Sequence, residues 1–259
     1  MEAMLITFFG VSGEDPTRRK GKNFCVMKKM VLILRFITES QSASVMSSTS
    51  FPPSEIPALA NIYALKAIGV RKILSISAVG SLREEIKPLD LVIPDQIIDR
   101  TRYRTSTFFG NGVVAHVGMA NPFCPEMSAV LKYSSENVGA TVHLGGTYVV
   151  MEGPQFSTKA ESQLYRSWGG DVIGMTAMPE AKLAREAEIC YTTLASVTDY
   201  DCWREETEVV TVDMVISNLL KNSEVAKQTL ANLIGKIPQG RNCTCSEALK
   251  HAMVTQTDY

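Results

Sequence analysis

From Pro53 onward the sequence alternates helix-period and strand-period segments, and this alternation limits the fold more than any other feature. Ser54 and Glu55 open a segment in which Ile56, Leu59, Ala60, Tyr63 and Ala67 recur at helical spacing, and Gly69 stands where the helix would stop. Residues 72–78 then read as a buried strand running into Gly80, and Leu91-Val-Ile93 reads as another after the Pro88 turn. Pro125 suits the first position of a helix ending near Gly139. Further strands are expected at 147–151, 171–174 and 189–197, with helices near 158–168 and 179–188 between them. A last helical stretch, 211–234, carries a break near Asn222-Ser223, and the tail from Pro238 is polar and loose. Such an order implies an α/β fold, a sheet covered by helices on both faces.

Composition narrows what this fold can do. With 259 residues the chain is long for one domain and short for two, so a single large domain is expected. Apolar residues at 45% supply a substantial core, and 26 basic against 27 acidic side chains leave no net field to attract nucleic acid or an anionic membrane. No apolar run approaches the roughly 20 residues of a spanning helix, and the first residues lack a basic secretory n-region. Six scattered cysteines read as reduced thiols rather than a disulfide framework, which leads us to expect the cytoplasm, with the nucleus as a further compartment. His116, His143 and His251 lack zinc-site spacing and Cys243-Thr-Cys245 lacks a second ligand pair, so no metal site is expected. The basic cluster Arg18, Arg19, Lys20 and Lys22 reads as a solvated loop.

In sheets of this class ligands bind beyond the carboxyl ends of strands, so the strand ends carry the candidates. The 189–197 strand runs into Thr198-Asp-Tyr-Asp-Cys-Trp203, where Asp199 and Asp201 share a side if the chain stays extended. Two neighbouring, partly desolvated carboxylates can raise one pKa and keep a proton near neutrality. Such a pair can donate to a ring nitrogen and accept from an amino group, or it can simply cap a turn. After the 147–151 strand, Phe156 offers a flat apolar face for a planar base, or a core ring behind an N-cap Ser157 or Thr158. Met175 and Thr176 follow the 171–174 strand at a helix start, as an anion site or a plain cap. Ser77-Ala-Val-Gly-Ser81 gives small residues and hydroxyls, as a phosphate pocket or a tight turn, and residues 9–13 hold only a weak phosphate-loop pattern.

Taken together the strings are more specific. SAVGSLREE at 77–85, DQIIDRT at 95–101, PFCP at 122–125, EGPQF at 152–156, MTAMPE at 175–180 and TDYDCW at 198–203 resemble the trimeric purine nucleoside phosphorylase family, and within it the methylthioadenosine phosphorylases. The resemblance runs from about Pro53 to Leu233. It implies a nucleoside phosphorylase-like domain with a central mixed, twisted sheet, phosphorolysis of a small-molecule nucleoside, inorganic phosphate as co-substrate, no metal or organic cofactor, and a homotrimer. Asp199 would meet purine N7 and Asp201 the exocyclic amine, with Phe156 and Thr198 beside the base and Met175 along the ribose. Ser12, Ser77, Ala78 and Thr176 would hold phosphate. Val212, Val215 and Ile216 would wall an apolar 5′-alkylthio pocket that His116 of a neighbouring subunit completes.

Two positions bear on substrate choice. Relatives acting on 6-oxopurines use Asn where Asp199 stands, and relatives taking a 5′-hydroxyl present a histidine where Val212 stands, so the resemblance implies methylthioadenosine. The amino end departs from the pattern: Phe9-Gly-Val-Ser-Gly13 only approximates the family's glycine loop, and Ser44–Phe51 carries neither residue of its Arg-His-Gly segment. We therefore divide the chain into a divergent amino-terminal remnant (1–50), the phosphorylase domain (51–237) and a carboxyl-terminal tail (238–259). A working phosphorylase, a phosphorylase of other purine specificity, a silent homologue that binds without turnover and a hydrolytic nucleosidase are all compatible with the sequence.

Overall fold

A computed structural model describes residues 3–9, 25–27, 30–32, 52–204 and 212–255. Two strands form its centre, β4 (Val70–Ser81) and β10 (Cys190–Tyr200), paired in parallel from Cys190↔Lys72 to Tyr200↔Ser81. Both are almost wholly buried, which explains their near-continuous apolar and small-residue sequence. Alternate residues feed two cores: Ile73, Val79, Tyr191 and Val197 face one layer, and Leu74, Ile76, Cys190 and Leu194 face the other.

The remaining strands make the sheet mixed. β1 (Ala3–Phe9) runs parallel to β4, bringing Phe9 opposite Ser77. β5 (Leu91–Ile93) lies antiparallel beside β10, and β7 (Val142–Leu144) parallel to β5. On the other side, β9 (Val172–Gly174) meets the end of β4 antiparallel, followed by β8 (Thr147–Met151) and β6 (Gln96–Arg100) in parallel. Among the described residues, β2 (Cys25–Met27) and β3 (Met30–Leu32) pair with each other. The expected mixed sheet is thus observed. The short strands β6 and β7 carry too little periodicity to be read from sequence.

Helices α1 (Ala58–Ala67) and α4 (Ala177–Glu186) cover one face, while α2 (Pro125–Glu136) and α5 (Val212–Ile234) cover the other. α3 (Lys159–Ser167) seals a smaller cluster of Leu82, Val149, Tyr165 and Ile173. Three expectations need correction. First, α1 buries Ala58, Ile62 and Leu65, whereas Tyr63 of the expected apolar face is 67% exposed. Second, α5 is unbroken at Asn222-Ser223. Instead of starting a turn, the Asn222 side chain donates to the Val197 carbonyl at 2.9 Å and ties the helix to β10. Third, the stretch from Pro238 to residue 255 is packed, with Cys245 and Ala252 buried and the Lys72 ammonium donating to the Pro238 and Gly240 carbonyls. Polar composition hid these tertiary anchors. No helix among the described residues is long and apolar enough to cross a membrane.

Candidate active site

The topology concentrates several strand ends at one place. β4 and β10 both end there, and β9, because it enters antiparallel to β4, carries the chain beyond Gly174 back along β4 toward Ser77. Thr176 consequently meets Ser77, their hydroxyls 2.8 Å apart. The Thr176 hydroxyl caps no helix N–H, so of the two readings left open for it the plain cap falls away. Tyr148 is buried beside these hydroxyls, and its own oxygen has no partner among the described residues. Ala78 and Ser77 also line a cleft with Ser196, Leu219 and Asn222.

The carboxylate pair sits one strand away. Register slips between Val197↔Val79 and Asp199↔Gly80, making Thr198 a bulge that re-aims the residues after it. Gly80 faces both acids: a Cβ there would stand 3.2 Å from Asp199 Oδ1 and 3.5 Å from Asp201 Cβ. Asp199 and Asp201 therefore share a side, as the extended reading expects. The Thr198 hydroxyl is buried and donates to Asp199 Oδ2 at 2.6 Å, so it buttresses the acid. Burial pushes the Asp199 carboxyl up to about 6, with the Asp201 charge adding to the rise and the Thr198 donor opposing it. Burial also raises Asp201, whose Oδ2 is buried without a partner among the described residues. One acid raised to about 6 and one buried carboxylate oxygen without a partner among the described residues stand side by side.

A residue absent from the sequence reading assembles the rest of the mouth. Arg104, with a side chain 4% exposed, donates to the carbonyls of Met151, Glu152, Met175 and Met178 and to Glu152 Oε1 at 3.2 Å. Its five N–H groups are thereby spent on fastening the β8 and β9 exits together. Composition cannot reveal this role, since four of its five partners are main-chain oxygens and all lie far away in sequence. Arg104 and Thr176 line one cleft with Pro53, Ile56 and Glu180. The same fastening presses Met175 on Gly153, where φ is +71° and a Cβ would stand 2.5 Å from the Met175 sulfur.

Phe156 lies beyond this turn and is 70% exposed, which removes the core-ring reading. Thr158 is the N-cap of α3, in a reciprocal capping box with Glu161. His116 is exposed on the 101–124 loop, and its backbone N–H donates to the Ala252 carbonyl at 2.8 Å. Val212, Val215 and Ile216 occupy the first turns of α5, close to the mouth because Asn218 donates to the Thr198 carbonyl at 2.7 Å; their side chains lie outside the described residues. Ser12 also lies outside them; Phe9, the last described residue before it, stands opposite Ser77.

Comparison with known proteins identifies the family. The Phosphorylase superfamily profile fits residues 26–236. The S-methyl-5'-thioadenosine phosphorylase of Koribacter versatilis (strain Ellin345) is 56% identical over 206 residues, 80% of this chain and 70% of that protein. The enzyme of the same name from Geobacter sulfurreducens is 56% identical over 204 residues, 78% of this chain and 71% of that one. Among solved structures, a methylthioadenosine phosphorylase from an antarctic soil metagenomic library superimposes with a TM-score of 0.82 at 41% identity, covering 98% of this chain and 93% of that one. Methylthioadenosine phosphorylase from Schistosoma mansoni in complex with adenine gives 0.79 at 30% identity, covering 96% of each chain.

Proposed function

The chain belongs to the methylthioadenosine phosphorylase family of the phosphorylase superfamily, and from that premise we propose that it splits S-methyl-5'-thioadenosine with inorganic phosphate into adenine and 5-methylthioribose 1-phosphate. The observation that carries this reading is the buried pair over Gly80: Asp199, pushed up to about 6, beside the open Oδ2 of Asp201. A 6-aminopurine matches it, since N7 accepts the Asp199 proton while the exocyclic amine donates to Asp201. Phe156, an exposed ring beside this mouth, is then covered by the base.

The reaction exchanges one bond for another. The glycosidic bond between N9 and the anomeric carbon breaks with its electron pair passing to the purine, and Asp199 delivers a proton to N7. A phosphate oxygen forms the new bond to the anomeric carbon. Asp199 is reprotonated as the phosphate monoester gives up its proton. The neighbouring phosphate charge stabilises the cationic sugar during the exchange.

Phosphate sits on the Ser77 and Thr176 hydroxyls and the Ala78 backbone, joined by Ser12 from the segment beyond β1. Arg104 contributes charge from beside this cleft but no free N–H. Met175 lies along the ribose, and Val212, Val215 and Ile216 wall the methylthio group. A homotrimer brings His116 of a neighbouring subunit to that wall, which fits its exposed place on the 101–124 loop. This chemistry calls on no metal or organic cofactor, and its cytoplasmic setting is part of the same proposal.

Adenine release from S-methyl-5'-thioadenosine by the purified chain, measured with and without millimolar phosphate, tests the reading. Release that depends on phosphate is expected. Equal release without phosphate would instead mean hydrolysis, and no release by folded protein would leave only a binding role.

A further inference from the structure

Four of the chain's six cysteines converge although the sequence scatters them. The sulfurs of Cys124, Cys190, Cys243 and Cys245 all lie within 4.8 Å of one another, Cys190 and Cys243 at 3.4 Å. Sequence spacing shows only the Cys243-Thr-Cys245 half. The second ligand pair comes from the residue preceding α2 and from the first residue of β10, brought together because the Cys124 N–H donates to the Tyr191 carbonyl at 2.8 Å. We propose that these four thiols form a tetrathiolate site for a structural zinc ion.

The geometry suits that ion. Zinc–sulfur bonds of about 2.3 Å place tetrahedral thiolates about 3.8 Å apart, so this tetrad needs to contract by no more than about 1 Å at its widest edge. Three of the four are fully enclosed in the apolar cluster under α2 and α5, and Cys243 is half-buried there. Burial excludes competing water and hard oxygen ligands, which selects a thiophilic metal. Four thiolates on a divalent ion leave two negative charges, and the Arg185 guanidinium, 3.9 Å from the Cys245 sulfur, offsets part of them. Two disulfides would demand separate close pairs, whereas here all four sulfurs are mutual neighbours.

The site would be structural because it stands at the wrong end of β10 for catalysis: nine residues of strand, about 30 Å, separate Cys190 from Asp199. Its role would be to hold the 238–255 segment. That segment in turn fixes the His116 loop through the Ala115↔Met253 bridge and the bond from the Val254 N–H to the Val114 carbonyl.

Elemental analysis of the full chain, purified under reducing conditions without chelator, should find about one zinc per chain. Cys124→Ser and Cys245→Ser should lower it to below about a tenth, while Cys202→Ser, outside the cluster, should retain it. Because a serine variant can fail to fold, the intact chain is also loaded with cobalt after zinc removal. Sulfur-to-cobalt charge transfer with a tetrahedral visible spectrum is expected. A reduced, folded chain with neither zinc nor that spectrum overturns the proposal. Thiol titration of the unreduced, denatured chain then separates the alternatives: fewer than its six thiols means disulfides, and all six mean plain core cysteines.

Discussion

If Asp199 supplies the proton to the purine, activity must follow its ionisation. With its carboxyl at about 6, about half of the enzyme carries the proton at pH 6 and roughly 1% at pH 8, so kcat/KM for the nucleoside should fall about 50-fold over that interval. The assay is the initial rate of adenine release under low-substrate conditions, at a constant concentration of one phosphate ionisation state. Two neighbours should move the limb in opposite directions. Asp201→Asn removes the like charge that lifts Asp199 and should shift the limb to lower pH. Thr198→Val removes the 2.6 Å donor to Oδ2 and should shift it to higher pH by about one unit, the equivalent of a charged hydrogen bond of about 1.5 kcal/mol. A pH-independent rate, or both variants moving the limb the same way, would refute Asp199 as the acid. The same shift carries a stability cost of definite sign. Since the folded carboxyl binds its proton more tightly than the unfolded one, the contribution is full below about 4 and lost as pH rises through about 6. Asp199→Asn should therefore cut turnover by about 10²–10⁴ and yet raise stability at pH 7, by at most about 3 kcal/mol in denaturant unfolding.

Other parts of the site give separable outcomes. Ser77→Ala and Thr176→Ala each remove one partner of the 2.8 Å hydroxyl pair, and each should raise the KM for phosphate by about tenfold while that for nucleoside changes little, measured in crossed initial-rate series. Phe156→Ala should leave the unfolding midpoint nearly unchanged, because the ring is 70% exposed, while weakening nucleoside binding about tenfold in titration calorimetry. Arg104→Met should behave in the reverse manner: four carbonyls and Glu152 lose their donor, so urea unfolding should show a loss of about 3 kcal/mol or more together with lower activity.

Much of this protein can be read along the chain, and the reason is locality. Leu91–Ile93 and Thr147–Met151 emerge from short-range apolar pattern with their observed bounds, and the helix that Pro125 opens emerges with its observed start, although it ends at Glu136 rather than near Gly139. Asp199 and Asp201 are visible as candidates because strand ends are where ligands bind and carboxylates there are rarely idle. Short-range pattern fails where the partner is remote. The exposed Tyr63, the unbroken α5 and the anchored tail all depend on which surface packs against them, as in the bond from Asn222 to the Val197 carbonyl.

The sequence by itself determined the α/β class, most strand positions and the residue types available for proton transfer and anion binding, since periodicity and chemical identity are properties of neighbours in the chain. Only the tertiary structure decided which of those groups meet. The antiparallel entry of β9 joins Thr176 to Ser77 across 99 positions, the bulge at Thr198 turns two acids over Gly80, Arg104 fastens two distant strand exits, and four scattered cysteines become one cluster. Each is a contact between segments far apart in sequence, set by sheet register and burial, and no local pattern encodes that register.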